Sequence, residues 1–279
     1  MTAAGPAGPA GEERPVRGAV PGERPPLPDE ATATNGPART AAPSARNRTT
    51  AEVRRLIDLL VGRPLADADL DAAAAELARV GDRLEQAAGP GKRPRGQPDH
   101  TGHPQDFFAT SPVIGYGNPL AAPVDVWAVR GESGQLELRG RAWFGYAYEG
   151  PPTCVHGGVV AEMFDELLGS ANIVTGTAGM TGTLSIRYRQ PTPLLTELAI
   201  EARQTRVEGR KIFTWGGLYH DGVLTAEAEG VFIEVRPQRM LDIVATNARG
   251  AGGEVIDPEL QSFVERGAHI LGVDGPPPS

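Results

Sequence analysis

The stretch that decides the fold is HGGVVAEMFDELLGSANIVTGTAGMTGTLSIRYR, which runs from His156 to Arg189. Its first half repeats apolar side chains at intervals of three and four residues, the period of a helix that buries one face. These side chains are Val160, Met163, Phe164, Leu167, Leu168 and Ala171. Its second half, from Thr181 to Arg189, alternates with the two-residue period of a strand. The stretch therefore predicts a long helix over residues 157–173, followed by a strand.

Strand-like segments both precede and follow this helix in the sequence. Two precede it, at residues 124–129 and 136–146, and both are rich in Val, Leu, Trp, Phe and Tyr. Four runs with alternating apolar residues follow it, at 181–189, 196–207, 210–219 and 223–235. Glu208-Gly209 and His220-Asp221-Gly222 separate the last three runs, and each contains the glycine that suits a tight hairpin turn. This order predicts an α+β fold in which the helix covers one face of a sheet.

The flanks differ in composition from this domain, which we assign to residues 106–237. Residues 1–46 are mainly Ala, Gly and Pro without an aromatic residue, so we expect them to be disordered. Residues 47–90 predict an amphipathic helical pair, and Thr49 with Glu52 predicts a capping box at its start. We expect a linker over residues 91–105 and a flexible tail over residues 238–279.

Composition and charge exclude several classes of protein. The 279 residues carry a formal net charge of -8, which argues against a nucleic-acid-binding protein with a basic face. A single cysteine, Cys154, excludes an internal disulfide and a cysteine-based zinc site. No apolar run is long enough for a membrane span, and the N-terminus lacks the apolar core of a secretory signal. We therefore expect a cytoplasmic protein without a metal site.

Three acidic residues lie on the predicted helix. At about 100° per residue, Glu162 and Glu166 point toward solvent, whereas Asp165 lies beside the apolar stripe. The first helical turn has unpaired backbone N–H groups, and Gly157 and Gly158 carry no side chain to block access to them. Such a turn can bind a carbonyl oxygen as it gains negative charge. A carboxylate two turns along the helix can then act as a base toward water, or attack directly.

Each of these residues also fits an ordinary structural role. Asp165 fits a partly exposed surface acid, and the two glycines fit a helix start with close backbone approach. His156 fits a general base, an orienting donor or a helix cap. From the residues alone, these alternatives stay open.

Basic residues follow the helix on an otherwise acidic chain. One face of the predicted strand carries Thr181, Thr183, Ser185, Arg187 and Arg189, opposite Leu184, Ile186 and Tyr188. Together with Arg210 and Lys211, the two arginines offer positive charge that can bind phosphate groups of a substrate. The alternative is a solvated sheet face with paired charges.

Several motifs share one family pattern. They are Glu149-Gly150-Pro151-Pro152, His156-Gly157-Gly158, Asp165 nine positions after the histidine, and Met180-Thr181 at the start of the next strand. Together they resemble hotdog-fold acyl-CoA thioesterases of the PaaI-like group, and within it the thioesterase-superfamily-member type. Arg189-Gln190-Pro191-Thr192-Pro193 is similar to the family's basic–proline turn, with Gln where a second basic residue is frequent. Glu208-Gly209-Arg210-Lys211 is similar to its hairpin, and the resemblance covers about residues 106–236.

The resemblance implies a hotdog fold, in which an antiparallel sheet wraps around the central helix. It also implies a homodimer or homotetramer with sites between subunits. Asp165 would act as general base or nucleophile, and Thr181 from the other subunit would hold the attacking water. The amide of Gly157 or Gly158 would polarise the thioester carbonyl, with His156 supporting that corner of the site. Coenzyme A would be part of the acyl-CoA substrate, and no other cofactor is implied.

We therefore expect hydrolysis of an acyl-CoA thioester to a free acid and coenzyme A. A non-catalytic module that binds acyl-CoA or an acyl carrier would use the same groove and basic face. A dehydratase or hydratase would need a histidine and an acid at the acyl β-carbon. Here the acid follows the HGG motif at the thioesterase spacing, which favours hydrolysis.

Overall fold

A computed structural model describes residues 44–89, 104–177, 179–235, 239, 242 and 243. The segments predicted to be a disordered N-terminus, a linker and a tail lie mostly outside these residues. The elements in chain order are α1 (Ala45–Gly62), α2 (Asp67–Ala87), α3 (Pro104–Phe107), β1 (Val124–Arg130), β2 (Leu136–Trp143), a 3₁₀ turn (Tyr146–Tyr148), α4 (Gly157–Val174), β3 (Gly179–Tyr188), β4 (Glu197–Glu208), β5 (Lys211–His220) and β6 (Val223–Glu234).

The six strands form one antiparallel sheet in the order β1-β2-β4-β5-β6-β3. The central helix, α4, packs on one face of this sheet and contacts five of its strands, from β2 to β6. All six residues of the predicted apolar stripe are buried, from Val160 to Ala171. An antiparallel sheet around one long helix confirms the predicted hotdog fold.

Both predicted hairpin turns are present. Gly209 and Arg210 connect β4 to β5, and Gly209 has a φ of +59°. Asp221 and Gly222 connect β5 to β6, with φ values of +46° and +80°. Two central residues with positive φ define the type I′ turn, whose twist matches that of the flanking strands. These turns set the register of the last three strands.

A bulge in β3 changes the direction of one side chain. Thr181 pairs with Phe232 and Thr183 pairs with Val231, so Gly182 is an extra residue between two consecutive pairs. An extra residue reverses the alternation of side chains on one side of the bulge. Thr181 consequently faces α4, where its hydroxyl contacts Asp165. The prediction that Thr181 shares a face with Thr183 is therefore wrong.

The first helix, α1, begins at Ala45, earlier than the predicted capping box. Ser44 is its N-cap, and the Ser44 hydroxyl oxygen accepts the N–H of Asn47 at 3.1 Å. Thr49 lies inside the helix, where its hydroxyl donates to the carbonyl of Ala45 at 3.0 Å. The prediction of a Thr49–Glu52 capping box is wrong, because serine is an equally good cap and lies five residues earlier.

Arg54 fastens α1 to the loop before β1. Its guanidinium donates to two carbonyl oxygens at 2.5 and 2.9 Å and to two more at 3.3 and 3.4 Å. These carbonyls belong to Ala121, Asn118, Tyr116 and Gly115, in order of increasing distance. Because four loop carbonyls share one charged donor, α1 packs as part of the sheet domain.

The second helix of the predicted pair, α2, is exposed along its length. None of its residues is buried, and Leu77, Val80 and Leu84 on its apolar side are exposed. Among the described helices, none combines the length and the apolar character that a membrane span requires.

Residues 104–123, here called the covering segment, pack against the domain core. Gln105 is buried and its side-chain amide donates to the carbonyl of Val124 at 3.2 Å. Ile114 is buried in the core, and Phe108 and Val113 pack against it. The sequence predicts a linker at Gln105, and its burial contradicts that prediction. The segment has no helical or strand period from which burial can be predicted.

Candidate active site

The start of α4 is held by the side chain of His156. His156 is the N-cap of this helix, and its Nδ1 accepts the N–H of Gly158 at 2.9 Å. A ring nitrogen that accepts a hydrogen bond carries no proton, so the proton of the neutral ring lies on Nε2. The geometry therefore favours the cap among the three roles weighed for His156.

The loop before α4 fixes the position of His156. Gly150 packs so closely on it that a Cβ at residue 150 would lie 2.7 Å from the Cα of His156. The His156 N–H donates to the carbonyl of Tyr148 at 2.9 Å, and the neighbouring Val155 N–H donates to the carbonyl of Thr192 at 2.8 Å. The glycine of the Glu149–Pro152 motif is thus needed for space next to the cap.

The two glycine amides at the helix start differ in availability. The Gly158 N–H is bound to His156, whereas the Gly157 N–H has no acceptor among the described residues. A Cβ at residue 157 would lie 3.5 Å from the hydroxyl of Tyr188, an ordinary contact distance. Gly157 therefore offers the amide that a ligand can reach, and Gly158 does not.

Asp165 lies two turns farther along α4 and faces β3. Its Oδ1 accepts a hydrogen bond from the Thr181 hydroxyl at 2.7 Å. Both residues belong to one chain, so the Thr181 beside this carboxylate comes from the same subunit. The resemblance, in contrast, implies a Thr181 from the other subunit. Both side chains are exposed in the single chain, so the second oxygen of Asp165 is accessible. A carboxylate held by a hydroxyl in this way can accept a proton from water.

Glu166 departs from the solvent-facing position that helical periodicity predicts. Its Oε1 is buried without a hydrogen-bond partner among the described residues. The Ser111 hydroxyl of the covering segment lies beside this carboxyl group and opposes the rise of its pKa. The Ser111 oxygen in turn accepts the N–H groups of Val113 and Ile114 at 3.1 and 3.3 Å. The prediction is correct for Glu162, which is exposed, and wrong for Glu166, because the covering segment lies over it.

We expect Glu166 to make the fold less stable as the pH rises. Burial raises its pKa to about 7, against an ordinary value of 4.5. Such a carboxyl group contributes fully to stability at a pH below the pKa that it has in the unfolded chain. This contribution is lost as the pH rises through the higher pKa that it has in the folded protein. The Glu166→Gln variant has no charge to bury. It should be more stable than the wild type by up to about 3 kcal/mol at a pH of about 8, and the difference should vanish near pH 4.

Urea unfolding of both proteins across this pH range measures the difference. Glu162→Gln is a matched control on the same helix, because Glu162 is exposed, and it should follow the wild type closely. A Glu166→Gln variant with wild-type stability at high pH would show that the carboxyl group is not buried.

The basic residues predicted to bind phosphate lie in two separate places. Arg187 and Arg189, near the end of β3, both contact Glu227 on β6. Arg210 and Lys211 lie at the β4–β5 hairpin. The strand partner of Lys211 on β6 is Ile233, six residues from Glu227, the partner of Arg187. Six residues of a strand span about 20 Å. One phosphate group cannot contact both pairs in a single chain.

A cavity of about 300 Å³ lies elsewhere, between α1 and the end of β2. Arg54, Asp58, Trp143 and Tyr148 are among the residues that line it, and no candidate site residue does. In the ranges that the structure describes, no group of three or more His, Cys, Asp and Glu side chains is placed to bind a metal ion. A single chain thus presents the candidate groups on an open surface of α4 and β3.

Gly157 and Asp165 are too far apart in one chain to act on the same bond. They are eight residues apart on one helix, which corresponds to about 12 Å. A carbonyl bound at an amide and the base that activates its attacking water must lie within a few ångströms of the reacting carbon. Within one chain, these two groups do not meet this requirement.

Comparisons with known proteins match the part of the chain that carries these residues. The thioesterase superfamily matches residues 153–226, which include α4 and strands β3 to β5. The acyl-coenzyme A thioesterase THEM4 of Xenopus laevis is 35% identical over 91 residues, which cover 32% of this chain and 41% of that protein. THEM4 of Bos taurus is 37% identical over 93 residues, covering 33% and 38%. The chain spans about two fifths of the length of these curated relatives.

One solved structure is similar over a longer stretch. Protein RHA08564, a thioesterase superfamily protein, is 34% identical with a TM-score of 0.60, and the match covers 72% of this chain and 95% of that one. Residues 104–235 make up less than half of this chain. The similarity therefore extends beyond the sheet, α4 and the covering segment.

Proposed function

Because this chain belongs to the thioesterase superfamily, we propose that it hydrolyses an acyl-CoA thioester to a free carboxylic acid and coenzyme A. The observation that carries this proposal is that α4 presents both a free amide at its start and a carboxylate farther along, which accepts a hydrogen bond from a hydroxyl group. The curated relatives are named acyl-coenzyme A thioesterases, which supports the same substrate class.

Two copies of the chain complete each site in this proposal. Gly157 of one copy works with Asp165 and Thr181 of the other, because the distance along α4 prevents them from acting together in one chain. A closed dimer with two-fold symmetry has two such sites. The strand β3 supports this assembly, since it is an edge strand among the strands that the structure describes, and an edge strand can pair with another chain.

The reaction begins with the thioester carbonyl at the Gly157 amide. The N–H of Gly157 donates to the carbonyl oxygen, which gains negative charge as water adds to the carbon. Asp165 accepts a proton from this water, and the Thr181 hydroxyl keeps the carboxylate in position. The intermediate then collapses and the carbon–sulfur bond breaks.

The departing group is the thiolate of coenzyme A, which leaves readily without an acid catalyst. The proton on Asp165 then passes to the thiolate or to solvent, and the acid is released. Direct attack by Asp165 on the carbonyl carbon is the alternative that the same residues allow. Hydrolysis changes no oxidation state and so needs no redox cofactor, and coenzyme A arrives as part of the substrate.

The basic residues contact the phosphates of coenzyme A from both copies. Arg187 and Arg189 lie at the end of β3 that adjoins the start of α4, where Tyr188 contacts Gly157. Arg210 and Lys211 lie at the opposite end, on the side of Thr181. A site that combines Gly157 of one copy with Thr181 of the other therefore draws one basic pair from each copy.

Thiol release from acyl-CoAs tests the proposed function. The purified protein is mixed with acyl-CoAs of several chain lengths and a thiol reagent, and we expect turnover that follows saturation kinetics. Tight binding of every acyl-CoA without thiol release would instead identify a binding module. Conversion of an enoyl- or β-hydroxyacyl-CoA without thiol release would identify a hydratase or dehydratase. That alternative also lacks a free basic nitrogen at His156 Nδ1, which is used in the cap.

A further inference from the structure

Tyr188, the last residue of β3, contacts the start of α4. Its hydroxyl donates to the carbonyl oxygen of Gly157 at 2.8 Å. Its ring lies beside the same residue, since a Cβ at residue 157 would be 3.6 Å from two of the ring atoms. The side chain is nevertheless 56% exposed, so core packing does not account for its position. The hydrogen bond to Gly157 is therefore its distinguishing contact.

The peptide group between Gly157 and Gly158 is held at both ends. Tyr188 donates to its carbonyl oxygen, and Nδ1 of His156 accepts its N–H at 2.9 Å. Two consecutive glycines have more backbone freedom than any other pair of residues, so contacts from outside the helix restrict this turn further. Fixing this peptide group also restricts the neighbouring Gly157 N–H, which belongs to the preceding peptide group.

We propose that Tyr188 is a positioning residue for thioester hydrolysis, whose hydroxyl orients the helix start so that the Gly157 N–H meets the carbonyl oxygen. This role rests on the proposed function. Strand β3 then aligns both reacting groups of its chain, through Tyr188 on Gly157 and through Thr181 on Asp165. Orientation of this kind matters most in the transition state, where the oxygen carries its greatest charge.

Tyr188→Phe removes the hydroxyl and keeps the ring. We expect kcat to fall about tenfold while KM stays within about twofold, because the amide contact strengthens only as charge develops on the oxygen. If the hydroxyl has a merely structural role, its removal should lower the unfolding midpoint without a selective fall in kcat. Steady-state kinetics together with urea unfolding therefore distinguish the two roles.

Tyr116→Phe is the matched control. It removes a bond from the Tyr116 hydroxyl to Oδ1 of Asp125 at 2.8 Å, on the edge strand β1 and away from the glycine pair. We expect it to keep the wild-type kcat. A wild-type kcat in Tyr188→Phe, or an equal loss in both variants, overturns the proposed role.

Amide hydrogen exchange without substrate measures the orienting contact independently of turnover. The Gly158 N–H should exchange about tenfold faster in Tyr188→Phe than in the wild type, because the peptide group loses one of its two side-chain contacts. Unchanged exchange contradicts the role of Tyr188. A wild-type protein that hydrolyses no acyl-CoA refutes the proposed function, whereas an active wild type with an equally active Tyr188→Phe variant refutes only this inference.

Discussion

Asp165→Asn should lower kcat for acyl-CoA hydrolysis by about 10²- to 10⁴-fold, because an amide cannot take a proton from the attacking water. The Thr181 hydroxyl can still donate to the oxygen of the new side-chain amide, so the local geometry should persist. Substrate affinity should change little for the same reason. Steady-state kinetics with detection of released thiol measures the loss, and urea unfolding checks that the variant is folded.

Mixed oligomers extend this test to the shared site. Gly157→Val covers the free amide with a side chain, and alone it should be nearly inactive. Random dimers formed from this variant and Asp165→Asn should recover about a quarter of the wild-type activity, because half are mixed and each mixed dimer has one intact site. No recovery would refute the two-copy site, and an Asp165→Asn variant with the parent's rate would refute the mechanism.

Leu168→Ala should destabilise the fold by about 2–5 kcal/mol. Leu168 is completely buried and lies against two strands where they carry glycine. A Cβ at Gly216 of β5 or at Gly230 of β6 would lie 3.1 Å from its methyl groups. Because glycine has no side chain to move into the space, the cavity left by the truncation should stay open, and the loss should be large.

Leu120→Ala is the matched control, since it makes the same chemical change at a side chain that is 65% exposed. It should change the free energy of unfolding by less than about 0.5 kcal/mol. Urea unfolding at one fixed chain concentration gives both values, because association would otherwise contribute to the apparent stability. Equal losses in the two variants would mean that α4 does not pack on the glycines of the sheet.

Local patterns in the sequence predict the central helix and the hairpin turns. The stripe from Val160 to Ala171 has a strong helical period, and the same residues are buried in the structure. Asp221-Gly222 predicts its turn because few other residue pairs accept positive φ at both positions. In each case the information lies within a few consecutive residues.

Features that depend on distant residues are not visible in such patterns. The bulge at Gly182 arises where β3 fits against β6, and a strict two-residue period assigns Thr181 to the wrong face. Helical periodicity gives the correct angle for Glu166, but it does not show that the covering segment lies over that side. For the candidate site, the sequence predicts the residue types, whereas the bond from the Gly158 N–H to His156 depends on the side-chain conformation of the folded cap.

The guanidinium of Arg54 also bears on how far this chain can be shortened without loss of contacts to the sheet domain. A shortened chain that started at residue 104 would keep every strand and α4 but lose the donor for four carbonyls between Gly115 and Ala121. This loop leads directly into β1 and belongs to the segment that covers Glu166. Truncation of the helical region would therefore loosen the cover over α4, so the portion needed for an intact site is longer than residues 153–226, which match the thioesterase superfamily.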